Sequence, residues 1–130
     1  MKHLILSLAA SAALLAAPAN ALAVTAPTTA HYSTAMTELY GGTAPYTGSL
    51  ELEIAPDGIV HGYYFPADYS AMFVPVVGGK SGDSIWFDIG SSELTHVEGR
   101  LRNGVIVGTA FNKANSQYTF VANPAAKDAR

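Results

Sequence analysis

From Tyr32 onward the chain is a succession of short segments in which apolar and polar residues alternate, and no stretch carries a helical period. A two-residue period places successive side chains on opposite faces of an extended backbone, so it commits the chain to half-buried β-strands. The segments are Tyr32–Tyr40, Gly48–Ala55, Ile59–Phe65, Met72–Gly78, Ser84–Ile89, Thr95–Arg102, Val105–Phe111 and Gln117–Ala122. Gly, Pro, Asp, Asn and Ser fill the short links between them. Links of hairpin length join neighbours, which makes a meander simpler than a Greek key. The expected fold is all-β: an antiparallel up-and-down meander of about eight strands that closes into a small barrel. Closure also suits a chain without cysteine, which has no disulfide to hold its edges.

Two turns set the register. Ala55-Pro56-Asp57-Gly58 has the residues of a type I turn followed by a left-handed glycine, which pairs Ala55 with Ile59. Leu50, Leu52 and Ile54 then share the core face with Val60, Gly62 and Tyr64. Glu51 and Glu53 share the other face with His61 and Tyr63, and Glu53 opposite His61 is an expected exposed ion pair. Asn103-Gly104 is a type I′ hairpin signal that pairs Arg102 with Val105. Val97, Gly99 and Leu101 then face inward with Ile106, Gly108 and Ala110, while His96, Glu98, Arg100 and Arg102 point outward. The small inward residues Gly62, Gly99, Gly108 and Ala110 have two readings: strong curvature with close backbone approach, or a ligand cavity.

The N-terminus has a different character. Met1-Lys2-His3 precedes an apolar run from Leu4 to Ala17, followed by Pro18 and the small-residue motifs Ala19-Asn20-Ala21 and Ala21-Leu22-Ala23. These are the parts of a secretory signal peptide cleaved after Ala21 or Ala23. The run of roughly 14 residues is shorter than the about 20 a membrane span needs. The expected organisation is a signal peptide over 1–23, a flexible leader over 24–30, a barrel domain over 31–123 and a flexible tail over 124–130. The expected location is the periplasm or the medium outside the cell, with no membrane span in the mature protein. The net charge of −3 becomes more negative when Lys2 leaves with the signal peptide, which disfavours nucleic acid as a partner. A membrane-spanning barrel would need the charged faces to line a lumen and strands longer than most of these.

The runs GSLELEIAPDGIVHGYYFP, AMFVPVVGG and GDSIWFDIG, residues 48–66, 71–79 and 82–90, resemble the second to fifth strands of the avidin and streptavidin barrels. The resemblance implies an eight-stranded barrel of that type. It matches Tyr64 to a pocket tyrosine and Trp86, the only tryptophan, to a pocket tryptophan. The other pocket tryptophans have no counterpart, and Phe65-Pro66 stands where a pocket serine belongs, so the resemblance implies the architecture rather than biotin binding.

The chemistry-bearing residues favour binding over catalysis. His31, His61 and His96 lack the spacing of a metal site, and no cysteine can assist them. No Gly-x-Ser-x-Gly elbow is present. Asp88 lies beside Trp86 on the face opposite Ile85, Phe87 and Ile89. The two are exposed if that triplet faces the core, and Asp88 is buried if the register is reversed. Tyr64 with Asp88 is the one acid–base pair that would merit testing in an enzyme. Aromatic residues gather around the first loops, and Tyr69 sits in the exposed-looking segment Pro66–Ala71. The candidate ligand-binding residues are Tyr64, Tyr69, Trp86, Asp88 and Tyr118, with no catalytic residue, metal or cofactor expected. The expected function is that of an exported, non-catalytic protein holding a small apolar or aromatic ligand in its barrel. The alternative is a protein-interaction or structural module with a filled core that self-associates through outward Val107 and Phe111.

Overall fold

The computed structural model describes residues 26–41, 44–69, 71–90 and 94–126; the expected signal peptide lies outside them. Eight strands run in chain order: β1 (Thr28–Glu38), β2 (Tyr46–Ile54), β3 (Ile59–Pro66), β4 (Val74–Ser81), β5 (Ser84–Ile89), β6 (Thr95–Arg102), β7 (Val105–Asn112) and β8 (Gln117–Pro124). Each pairs antiparallel with the next, and β1 pairs with β8, so the meander closes into a barrel with no free edge. A 3-10 turn, Ala67–Tyr69, follows β3.

The turns form as their residues dictate. The Gly58 N–H donates to the Ala55 carbonyl at 2.9 Å, and the Ala55 N–H donates to the Ile59 carbonyl at 2.9 Å. Gly58 has a φ of +95°, which a residue with a side chain rarely adopts. Asp57 Oδ1 accepts from the Ile59 N–H at 3.1 Å and stiffens the corner. Asn103 and Gly104 both have positive φ, 53° and 77°, as a type I′ turn requires. These turns, with the one between β4 and β5, occupy one end of the barrel. The longer links β1–β2, β3–β4, β5–β6 and β7–β8 occupy the other.

The registers of both hairpins are those the turns imply. Leu52 pairs with Gly62, Leu50 with Tyr64, Val97 with Ala110 and Leu101 with Ile106. Leu50, Leu52, Val60, Val76, Ile85, Phe87, Val97, Ile106 and Phe120 are fully buried, and Phe87 meets Phe120 edge to face at 5.8 Å. Each such side chain contributes roughly 1.5–3 kcal/mol by leaving water. The barrel is therefore filled over much of its length.

The inward glycines mark close backbone approach. A Cβ at Gly62 would run into the Glu51 carbonyl, one at Gly108 into the Glu98 carbonyl, and one at Gly99 would lie 2.6 Å from the Val107 carbonyl oxygen. They allow the sheet to coil tightly and leave no room for a ligand beside them.

Three details differ from the expectations. β1 begins at Thr28, inside the expected leader, because Thr28–Ala30 complete the ladder to Leu52–Ile54. β8 runs through Pro124, and Ala125 N–H donates to the His31 carbonyl at 2.8 Å, so the expected tail is partly tied down. Glu53 and His61 are register partners, but among the described residues the histidine–carboxylate contact seen on this face joins His31 to Glu51, at 3.5 Å.

The outer wall carries Glu51, Glu53, His61, Asp88, His96, Glu98, Arg100 and Arg102, and the interior is apolar apart from Thr34.

Candidate functional site

At the loop end the core layers stop short, leaving a cavity of about 380 Å³ lined by Met36, Tyr46, Thr47, Tyr64, Pro66, Asp68, Thr95, Asn112 and Tyr118. Its walls are the ends of β1, β2, β3, β6, β7 and β8, so a closed sheet positions every lining strand. The size falls in the range of small-molecule sites, and the lining is mostly apolar with a few polar groups.

Tyr64 projects inward from β3 and lies across Gly48 of β2. Burial raises its phenol pKa above the usual value; the nearby Thr34 hydroxyl works against that rise, and the Asp68 carboxylate adds to it. Tyr64 is thus a neutral phenol at physiological pH, able to donate or accept a hydrogen bond. Thr34, on β1, is buried, and its Oγ1 has no hydrogen-bond partner of acceptable geometry among the described residues.

The opposite wall is set by Asn112. Its Oδ1 accepts from the N–H groups of Ala114, at 3.0 Å, and Ser116, at 3.1 Å, closing the β7–β8 turn. Its Nδ2 donates to the Tyr118 hydroxyl at 3.2 Å, which holds that ring at the rim. Tyr46 meets Tyr118 edge to face at 6.0 Å. One residue thus shapes the turn and orients an aromatic wall.

The structure divides the candidates named from the sequence. Tyr64 and Tyr118 both line the cavity. Tyr69 ends the 3-10 turn beside it, but its side chain lies outside the described residues. Trp86 and Asp88 are on the outer wall, because Ile85, Phe87 and Ile89 take the interior. Trp86 lies against Gly79, and its indole is partly exposed. The pocket role that the avidin resemblance implies for Trp86 therefore does not hold. Asp88 faces outward and Tyr64 inward, so the two do not converge as an acid–base pair.

Asp88 instead binds His96, at 2.7 Å to Nδ1, while Glu98 holds Nε2 at 3.1 Å and Phe111 stacks against the ring. Both imidazole nitrogens are occupied from opposite sides. Among the described residues no group of three or more His, Asp or Glu converges as metal ligands. A larger hollow, about 490 Å³, lies on the outer wall around Trp86, Glu98, Arg100 and Val107. It is an open groove whose Glu98 and Arg100 already pair with His96 and Asp83.

Of the other lining residues, Tyr46 belongs to the aromatic residues around the first loops and Pro66 and Asp68 to the segment Pro66–Ala71, while Met36, Thr47, Thr95 and Asn112 are additions made by the structure. Counting pairs away from Asn103-Gly104 reaches Thr95 opposite Asn112 on the inward parity, so that signal was present. Asp68 carries no such signal, since its place depends on how the β3–β4 link folds over the mouth.

The fold and site define a class: a closed eight-stranded antiparallel barrel with a ligand-sized cavity at its loop end. No protein-family model matches the chain, and no curated protein does.

Proposed function

We propose that the protein is an exported, non-catalytic binding barrel that takes a small apolar or aromatic ligand at the mouth bordered by Tyr64 and Tyr118. The observation that carries this reading is the cavity of about 380 Å³ above a core that is otherwise filled. A barrel of eight strands is just wide enough to be filled or to hold one small ligand. Here the tight-turn end is filled and the loop end is open. Longer loops on a rigid sheet are also where binding residues tend to sit. Export rests on the signal peptide read in residues 1–23.

The test is an NMR titration of the mature chain with 2-phenylethanol. Shifts confined to Met36, Tyr46, Thr95, Asn112 and Tyr118 support the reading, and Thr95→Trp, which fills the mouth, should abolish them. Shifts scattered over the outer wall, or none, would overturn it.

A second reading has one observation in its favour. Val77, Trp86 and Val107 are 56%, 41% and 56% exposed on the wall formed by β4 to β7. Such a band suits self-association of a barrel whose core is already packed. Light scattering after size exclusion distinguishes the two, since a monomer that binds the probe leaves no role for the band.

A further inference from the structure

The charge at the mouth narrows the ligand class; this inference rests on the binding reading above. Asp68 is the only ionisable acid or base of ordinary charge at neutral pH among the described lining residues, and no Lys, Arg or His joins it. Glu38 lies near this rim as the register partner of Tyr118. Lys80, Arg100 and Arg102 belong to strand ends at the tight-turn end. Lys113, in the β7–β8 turn, is not part of the lining. An anionic ligand entering here would meet a carboxylate with no cation among the described lining residues, while a cation would meet both a carboxylate and aromatic faces.

We propose that the cavity is selective for small amphiphilic cations: an apolar or aromatic body held among Met36, Tyr46, Tyr64 and Tyr118, with an ammonium group at Asp68. Two interactions support the cation. A carboxylate accepts charge-assisted hydrogen bonds from an ammonium. A ring face of Tyr46, Tyr64 or Tyr118 attracts the same charge through its quadrupole. Burial is what chiefly raises the phenol pKa of Tyr64, and the Asp68 charge adds a smaller part in the same direction.

Three probes on one skeleton test this: 2-phenylethylamine, 2-phenylethanol and 3-phenylpropanoate, titrated by NMR into the mature chain and into Asp68→Asn. The amine should bind the parent protein about tenfold more tightly than the alcohol, as a partly exposed carboxylate–ammonium pair allows, with the carboxylate weakest. Added salt should weaken the amine alone. In Asp68→Asn the amine should fall to the level of the alcohol, so that the ratio of their affinities approaches one. Asp68 is exposed in a short turn, so this isosteric change leaves the barrel intact, as unchanged amide shifts away from the mouth will show. Equal binding of amine and alcohol by the parent, or a preference that survives in Asp68→Asn, overturns the charge selectivity while the cavity reading stands. No binding of any probe at the mouth overturns both.

Discussion

The hydroxyl of Tyr64 occupies the space that a side chain at Gly48 would need: a Cβ there would lie 2.5 Å from the phenol oxygen and 2.7 Å from the Phe65 carbonyl oxygen. Glycine on β2 is thus what lets the cavity's tyrosine lie flat against the neighbouring strand. Gly48→Ala should force the ring toward the cavity and cost about 1–3 kcal/mol, as overpacking does. Urea unfolding measures the cost, and the 2-phenylethanol titration should show weaker binding. Tyr64→Leu in the same chain should restore only part of the stability, because the Phe65 carbonyl remains in the way. Unchanged stability in Gly48→Ala would show that the ring is not held there.

Thr34 offers the opposite kind of test. Its hydroxyl is buried beside the Tyr64 phenol without a hydrogen bond of acceptable geometry among the described residues, and burying a poorly bonded group costs roughly 1–3 kcal/mol. Thr34→Val keeps the shape and removes the hydroxyl, so stability should be unchanged or rise by about 1 kcal/mol. A loss of more than that in denaturant unfolding would mean that the hydroxyl has a partner.

The Asn112 side chain makes three hydrogen bonds at the rim. Asn112→Ala should cost about 1–2 kcal/mol by removing two turn hydrogen bonds, whose N–H groups then turn to water, and should loosen Tyr118. Asn112→Asp keeps the acceptors for Ala114 and Ser116, so it should recover much of that stability. Amide exchange at Ala114 and Ser116 reports the turn directly; protection that persists in the alanine variant would contradict this account.

His96 should make stability depend on pH. Burial of the ring opposes its charge, but hydrogen bonds to Asp88 and Glu98, together with their charges, outweigh it and raise the pKa above the usual 6.5. A folded-state pKa above the unfolded one means that the folded state binds the proton more tightly. The contribution is therefore fully present below about pH 6.5 and is lost as pH rises through the higher folded value. The His96 Cε1 proton should titrate above 6.5, and Asp88→Asn should lower that midpoint. His96→Gln should flatten the fall in stability across this window. A midpoint below 6.5 in the parent chain would refute the arrangement.

Much of the barrel was legible along the chain. Pro56, Gly58, Asn103 and Gly104 act through local dihedrals, and their turns set the registers of β2–β3 and β6–β7 without reference to the rest of the molecule. The bounds of β5 and β6 coincide with the segments read from alternation. The start of β1 was less legible, because Thr28–Ala30 gain their strand from the length of β2 and carry no strong alternation of their own. Of the candidate site, Tyr64 and Tyr118 were readable from parity, while Trp86 and Asp88 depended on which face of β5 turned inward. The same uncertainty hid the His96 cluster: Glu98 lies two residues along the same strand, but Asp88 reaches His96 only through the β5–β6 register.

Alternation and turn chemistry are local properties, so the sequence by itself determined an antiparallel meander with aliphatic residues on one face and carboxylates and guanidiniums on the other. Closure of β1 on β8, and the way small inward positions are used, belong to the whole ring. Gly62, Gly99 and Gly108 could equally have bordered a void, until neighbouring carbonyls were found where their side chains would stand. The empty space lies instead at the loop end, where Asp68, Thr95 and Asn112 converge from segments far apart in the chain. Only tertiary structure decides such a place, because packing fills volume according to distance in space and takes no account of separation along the chain.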